Sequence, residues 1–99
     1  KIGIRVEAVS ANPTLAARLS EDQRGVRVVE VDPRGPARGR LLQNDIITAV
    51  LYPAPRKDVR SVADLQSVLS KAKDGDVVSL LIYDAERKQT RVANIRVGG

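Results

Sequence analysis

Residues 1–6 read Lys1-Ile2-Gly3-Ile4-Arg5-Val6, a glycine between two isoleucines followed at once by the start of a strand pattern. Glycine lets the backbone bend where a Cβ would clash, so that successive N–H groups can converge on an anion. The strand that follows can accept an extended peptide along an unpaired edge, and the isoleucines can line a pocket for the last side chain of that peptide. The stretch therefore predicts a binding site for peptide C-termini, although the same pattern also opens ordinary strands.

Outward from this stretch, apolar residues recur with the periods of strands and helices. The pattern predicts strands over residues 4–9, 26–31, 46–51, 77–83 and 90–97. Asn12-Pro13 predicts the start of a short helix over 14–20, and Ser61 with Asp64 resembles a capping box that opens a helix over 62–73, closed by Gly75. Pro36 predicts one further helical turn, and residues 52–58 a proline-containing polar loop. The order indicates an α+β domain, a small partly open barrel or sandwich of five to six strands closed by two helices.

The composition is that of one domain with an aliphatic core. The chain has 99 residues, 42% of them hydrophobic, with no Cys, Met, Phe, Trp or His. Without His or Cys, neither a Ser-His-Asp triad nor a cysteine nucleophile can be assembled. The acidic residues do not cluster as a catalytic dyad or a metal site, and no glycine-rich phosphate loop is visible. We therefore expect no enzyme activity of this chain, no catalytic residue, no metal and no cofactor.

The formal net charge of +5 raises the question of a nucleic-acid partner. The basic residues are scattered and interleaved with acids, and the only aromatic residues are Tyr52 and Tyr83. Single-strand binders need stacking aromatics, so a solvated basic surface is the better interpretation, with no nucleic-acid partner. No run of eighteen apolar residues is present, and we expect no membrane insertion by this chain.

Residues 2–4, 25–37, 39–47 and 59–65 form four segments that, in this order, resemble the PDZ domain of the bacterial HtrA (Do-like) serine proteases. Ile2-Gly3-Ile4 is similar to the carboxylate-binding loop of that family, and residues 25–37 are similar to its "GVxVxxVxPxSPA" segment. Residues 39–47 resemble "GLxxGDxI", with Asn44 where glycine is usual, and residues 59–65 resemble "VxSxxDL". The chain departs from the family in the 52–58 loop, which replaces a short turn.

The resemblance implies capture of C-terminal peptides by strand addition. Backbone N–H groups around Gly3 and Ile4 would bind the carboxylate, and residues 4–6 would pair with the peptide. Helical spacing places Leu65, Val68 and Ala72 on one stripe of the helix, which we assign to the core. Val62, Gln66 and Leu69 lie on the adjacent stripe, which by the resemblance would face the peptide-binding groove. The alternative is that Leu69 also belongs to the core. The predicted peptide-binding residues are Ile2, Gly3, Ile4, Arg5, Val6, Val62, Gln66 and Leu69.

The resemblance also implies a parent protein. Since the sequence starts with Lys rather than Met, almost on top of the proposed site, we expect a single PDZ domain at 1–99 that is a C-terminal fragment of a longer protease chain. Its upstream partner would be a trypsin-like serine endopeptidase domain, in a periplasmic or cell-envelope protein of quality control that forms a homo-oligomer. Two alternatives stay open: a PDZ domain acting chiefly in oligomer assembly, and one from another envelope protease or a secretion protein.

Overall fold

The computed structural model describes residues 2–98, which form six strands and two α-helices. The strands are β1 (Ile4–Ala8), β2 (Val26–Val31), β3 (Ile46–Tyr52), β4 (Lys57–Asp58), β5 (Val77–Asp84) and β6 (Gln89–Arg96). The helices are α1 (Pro13–Ala17) and α2 (Val62–Lys71), and short 3₁₀ turns lie at Val9–Ala11 and Glu21–Gln23. The strands form one antiparallel sheet in the order β1-β2-β3-β5-β6, with β4 paired to β3. This confirms the predicted α+β fold class.

Both helices begin where the sequence predicts. Asn12 accepts a hydrogen bond from the Leu15 N–H at 3.1 Å, and Pro13 occupies the first turn of α1, where its missing N–H costs nothing. The Ser61 hydroxyl accepts from the Asp64 N–H at 3.1 Å and so satisfies one of the unpaired donors at the start of α2.

The end of α2 differs from the prediction. The helix ends at Lys71 rather than Lys73, because Ala72 adopts an extended conformation. Gly75, with φ of +92°, donates its N–H to the Val97 carbonyl at 2.7 Å. This glycine therefore belongs to the turn that leads into β5 and does not cap the helix.

The helical turn predicted after Pro36 is wrong. Residues 36–40 form hydrogen-bonded turns, and Gly39 has φ of +76°, outside the helical region. The Ala37 N–H donates to the Ile2 carbonyl at 3.0 Å, so this segment is tied to the start of the chain. The 52–58 loop also carries more structure than predicted, since its last two residues form β4.

The main core is aliphatic and lies between α2 and the sheet. Ile2, Leu65 and Ala72 are buried in it, while Val68 is only partly buried. A smaller cluster of Val9, Leu19 and Ile46 lies under α1. α2 contacts β1 at the end of the sheet. None of the helices in the described part of the chain has the length and apolar character needed to span a bilayer.

Candidate functional site

Strand β1 forms one edge of the sheet, and within residues 2–98 it pairs only with β2. The Gly3 carbonyl and the Val9 N–H both bond to the β2 side, at 2.8 and 3.0 Å. Backbone groups alternate in direction along a strand, so the polar groups of Ile4, Val6 and Ala8 face the open edge. These residues can therefore pair with an added strand.

The loop before β1 presents two N–H groups side by side. The Ile2 carbonyl accepts from the Ala37 N–H at 3.0 Å, and the Gly3 carbonyl accepts from the Asp32 N–H at 2.8 Å. In a trans peptide the N–H points opposite to the C=O of the preceding residue. The N–H groups of Gly3 and Ile4 therefore both point away from residues 32–37, as an anion-binding nest requires.

Gly3 is required at this position for two reasons. Its φ is +75°, and a Cβ would lie 3.0 Å from the Cα of Gly35 and 3.3 Å from the Cβ of Asp32. Gly35 is constrained by the same contact, since a Cβ there would lie 3.0 Å from the Cα of Gly3. The two glycines thus pack against each other and hold the loop on the 32–37 segment.

The structure brings four of the predicted site residues to one margin of the core. Ile4 and Val6 on β1, and Val62 and Leu69 on α2, are all partly buried and pack against the main core. Leu69 thus has core contacts as well as remaining exposed surface. Half-buried apolar side chains on a strand edge and on the helix beside it can contact an apolar ligand side chain.

Three further predicted site residues differ from these four in exposure. Ile2 is fully buried, so its side chain belongs to the core rather than to a pocket surface. Gln66 is exposed, and Arg5 is exposed and forms an ion pair with Glu30 at 3.5 Å. No observation tests the role of any of these eight residues in binding, so each assignment stays a prediction.

Charges of both signs follow β1 and β2. Arg27 donates from Nε and Nη2 to Oε1 of Glu7 at 3.0 and 2.8 Å, and from Nη1 to the Asn44 side chain at 2.6 Å. Asn44 has φ of +76°, which asparagine tolerates better than most residues. The departure from the usual glycine is therefore compatible with the turn and adds a hydrogen bond.

Sequence reasoning missed one buried ion pair. Asp45 is 3% exposed and accepts from the Leu42 N–H at 2.8 Å and from the guanidinium of Arg91. The hydrogen bond to Asp45 raises the pKa of Arg91. The Asn44-Asp45 turn was visible in the sequence, but the partner on β6, 46 residues away, was not signalled by any local pattern.

A surface cavity of about 620 Å³ lies away from β1, between α1, the 42–45 turn and the β5–β6 hairpin. Its charged lining is balanced, and four of the six charged side chains form ion pairs: Arg27 with Glu7, Asp45 with Arg91, and Arg87 with Asp84. Such a lining leaves few groups to converge on a ligand. Within residues 2–98 no three acidic side chains come together as a candidate metal site.

Comparison with known proteins identifies the family. The sequence model of the family described as "PDZ domain" matches residues 1–95. Comparison with curated protein sequences gave no match. PDZ domains bind C-terminal peptides by adding them as a strand to a sheet edge, and they are not catalytic by themselves.

Proposed function

Because the chain belongs to the PDZ domain family, we propose that it is the peptide-binding module of an HtrA-type serine protease and binds hydrophobic C-termini of substrates or activators. The observation that supports this most directly is the common direction of the Gly3 and Ile4 N–H groups, next to an open strand edge.

The terminal carboxylate accepts hydrogen bonds from the Gly3 and Ile4 N–H groups. Charge-assisted bonds of this kind contribute roughly 1.5–3 kcal/mol each. Ile4 and Val6 exchange backbone hydrogen bonds with the peptide, which lies antiparallel to β1. Its main chain thereby becomes a seventh strand next to the six of the domain.

The last peptide side chain lies between β1 and α2, against the exposed surface of Val6, Val62 and Leu69. Burying an apolar side chain there contributes on the order of 1.5–3 kcal/mol. Losses of translational and side-chain freedom offset much of the gain, so we expect a Kd in the micromolar range. Gln66, exposed between Val62 and Leu69, adds a polar group at the solvent side of the groove.

The parent protein is proposed from the resemblance of residues 25–37, 39–47 and 59–65 to the HtrA family. On this proposal a trypsin-like protease domain lies upstream in the same chain, and the full-length protein is a homo-oligomer of the bacterial periplasm or envelope. The upstream sequence tests it: a segment similar to Gly-Asn-Ser-Gly-Gly would support the HtrA parent, and its absence would favour another envelope protease or a secretion protein.

A second candidate function is assembly of the oligomer, with the groove unused. The observation that favours it is the 52–58 loop, where Tyr52 is 57% exposed. This tyrosine borders a cavity of about 230 Å³ whose lining includes the apolar Pro53, Val68 and Val77 as well as the charged Lys71 and Asp76. An exposed aromatic residue beside apolar surface is typical of protein contacts.

The test of peptide binding is a titration with peptides of random sequence that end in an apolar residue, each as the free acid and as the C-terminal amide. We expect saturable binding of the acids that is lost on amidation, because the amide removes the charge that the two N–H groups bind. Binding that is indifferent to amidation would contradict the carboxylate mechanism. No binding up to millimolar peptide would leave assembly as the function to pursue.

A further inference from the structure

The face of β1 that is turned away from the core carries two side chains of opposite charge, Arg5 and Glu7. We propose that this face selects charges of the bound peptide: an acidic residue at the penultimate position and a basic residue at the fourth position from the end. The inference rests on the proposed addition of the peptide to β1.

The register follows from the directions of the backbone groups. Ile4 and Val6 face the open edge, so they form the hydrogen-bonded pairs with the peptide. With the carboxylate on the Gly3 and Ile4 N–H groups, the last residue pairs with Ile4 and the third from the end pairs with Val6. The penultimate residue then lies opposite Arg5, and the fourth from the end lies opposite Glu7.

Directly opposed residues in an antiparallel pair project to the same face, with Cβ atoms about 4.5–5.5 Å apart. The side chains of Ile4 and Val6 pack on the core, so those of Arg5 and Glu7 lie on the other face. The peptide side chains that meet Arg5 and Glu7 are therefore the outward ones, distinct from the last side chain in the groove.

Arg5 is available to a second carboxylate. Its ion pair with Glu30 on β2 is long, 3.5 Å, and the two side chains are 67% and 69% exposed. The added peptide lies on the opposite side of β1 from Glu30, and a guanidinium has five donors to share. A cavity of about 250 Å³, lined by Gly3, Ile4, Arg5, Glu30 and Asp32, lies on the side of Arg5 that faces β2. The two acids bordering this cavity reduce the attraction, so the preference is modest.

The Glu7 carboxylate is held in place by Arg27, but only one of its two oxygens accepts these hydrogen bonds. Both Arg27 bonds go to its Oε1, and among the described residues Oε2 accepts none, while the side chain is 39% exposed. Arg27 fixes the position of this carboxylate from the β2 side. A lysine or arginine of the peptide can approach Oε2 from the open side.

The test uses four peptides that share one apolar last residue. The first has Glu at the penultimate and Lys at the fourth position from the end, the second has the two exchanged, and the third has Ala at both. The fourth is the amide of the alanine peptide. Each favourable charge is expected to tighten binding about two- to fivefold over alanine, and high salt is expected to remove the difference.

Single substitutions in the domain test the charge preference at each of the two peptide positions separately. Arg5→Glu is expected to reverse the penultimate preference, and Glu7→Gln to remove the preference for a base. Arg96→Glu on β6 makes the same change of net charge as Arg5→Glu at the other end of the sheet, and it is expected to leave both preferences intact.

The outcomes distinguish this inference from the proposed function. If the alanine acid binds and its amide does not, but charge at the two positions has no effect or Arg5→Glu keeps the original preference, charge selection is wrong and carboxylate capture stands. If the alanine acid fails to bind, both proposals are overturned.

Discussion

The two strands at the ends of the sheet, β1 and β6, differ in what they leave open. β6 pairs with β5 along all eight of its residues, and its inward side chains, Ala93 and Ile95, are 5% and 1% exposed. On β1 the inward side chains of Ile4 and Val6 are only partly buried. Both strands have an open edge, but among the described residues only β1 combines it with partly buried apolar side chains, a neighbouring helix and two successive N–H groups that point away from residues 32–37.

This difference agrees with the proposal that β1, rather than β6, is the edge that binds a peptide. Exposed edges are a risk of unwanted pairing, which proteins reduce with charges and polar residues. Four of the exposed residues of β6 agree with that rule, namely Gln89, Thr90, Asn94 and Arg96, while the exposed Val92 departs from it. At β1 we propose that the N–H groups of Gly3 and Ile4 add an end point that binds the carboxylate of a chain terminus.

The largest effect is expected from a substitution that distorts the loop holding the Gly3 and Ile4 N–H groups. Gly3→Ala and Gly39→Ala change glycines of nearly equal φ, +75° and +76°, but only the Cβ at residue 3 meets other atoms. Gly39→Ala is expected to lower the free energy of unfolding by about 1–2 kcal/mol, the cost of alanine in a left-handed conformation. Gly3→Ala is expected to cost more and to weaken peptide binding at least about a hundredfold, since two charge-assisted bonds depend on the loop.

Urea denaturation and peptide titration of both variants check this prediction. Equal losses of stability in Gly3→Ala and Gly39→Ala, with unchanged peptide affinity, would show that the contact between Gly3 and Gly35 does not shape the site.

The second prediction compares apolar side chains at the two ends of the sheet. Leu69→Lys places a charge beside β1, and Val92→Lys places one on β6, where Val92 is 49% exposed. Leu69→Lys is expected to weaken binding of apolar-ended peptides about tenfold, since part of the pocket is lost. Val92→Lys is expected to leave affinity unchanged. Circular dichroism confirms that both variants are folded, and an equal loss of affinity in both would place the pocket elsewhere.

The smallest effect concerns the start of α2. The Arg60 N–H donates to the Asp64 carboxylate at 2.9 Å and lowers the pKa of Asp64 below 3.8. A carboxyl whose pKa is lowered by folding stabilises the folded state above its unfolded pKa, and this contribution is lost as the pH falls through the folded pKa. Below about pH 4, protection against hydrogen exchange, corrected for the intrinsic rate at each pH, should therefore fall at the start of α2. It should also fall at the β5–β6 turn, where the backbone N–H of Arg87 lowers the pKa of Asp84, while the buried strand β2 stays protected.

Asp64→Asn is the control, since it removes the titrating group. The variant should lose the acid-dependent part of the exchange at α2 and keep the rest. The same acid response in Asp64→Asn and in the unmodified domain would assign the effect to another carboxylate.

Much of this fold follows from local sequence. The helix start at Asn12-Pro13, the strand over 26–31 and the Ser61 cap depend on neighbouring residues, and the structure confirms them. The turn after Pro36 was misjudged because Gly39 adopts a φ of +76°, outside the helical region, which the local pattern does not show. The end of α2 was misplaced because Gly75 bonds to Val97 on the far side of the hairpin.

The candidate site also has features that the local sequence indicated and features that depend on contacts distant in sequence. Ile2-Gly3-Ile4 suggested the carboxylate loop, but only the structure shows that Asp32 and Ala37 turn its carbonyls away from the ligand side. The charges of Arg5 and Glu7 were visible in the sequence. Their pairing with Glu30 and Arg27 depends on the register of β1 on β2, which is shifted by an irregularity after Arg5.

The most direct test of carboxylate capture is an NMR titration of the backbone amides with one apolar-ended peptide, as the free acid and as the amide. The account predicts that the Gly3 and Ile4 N–H resonances move downfield on saturation with the acid and not with the amide, while those of Gly39 and of β6 stay in place. Shifts at Gly3 and Ile4 that are the same for both peptides, or shifts concentrated on β6, would contradict it.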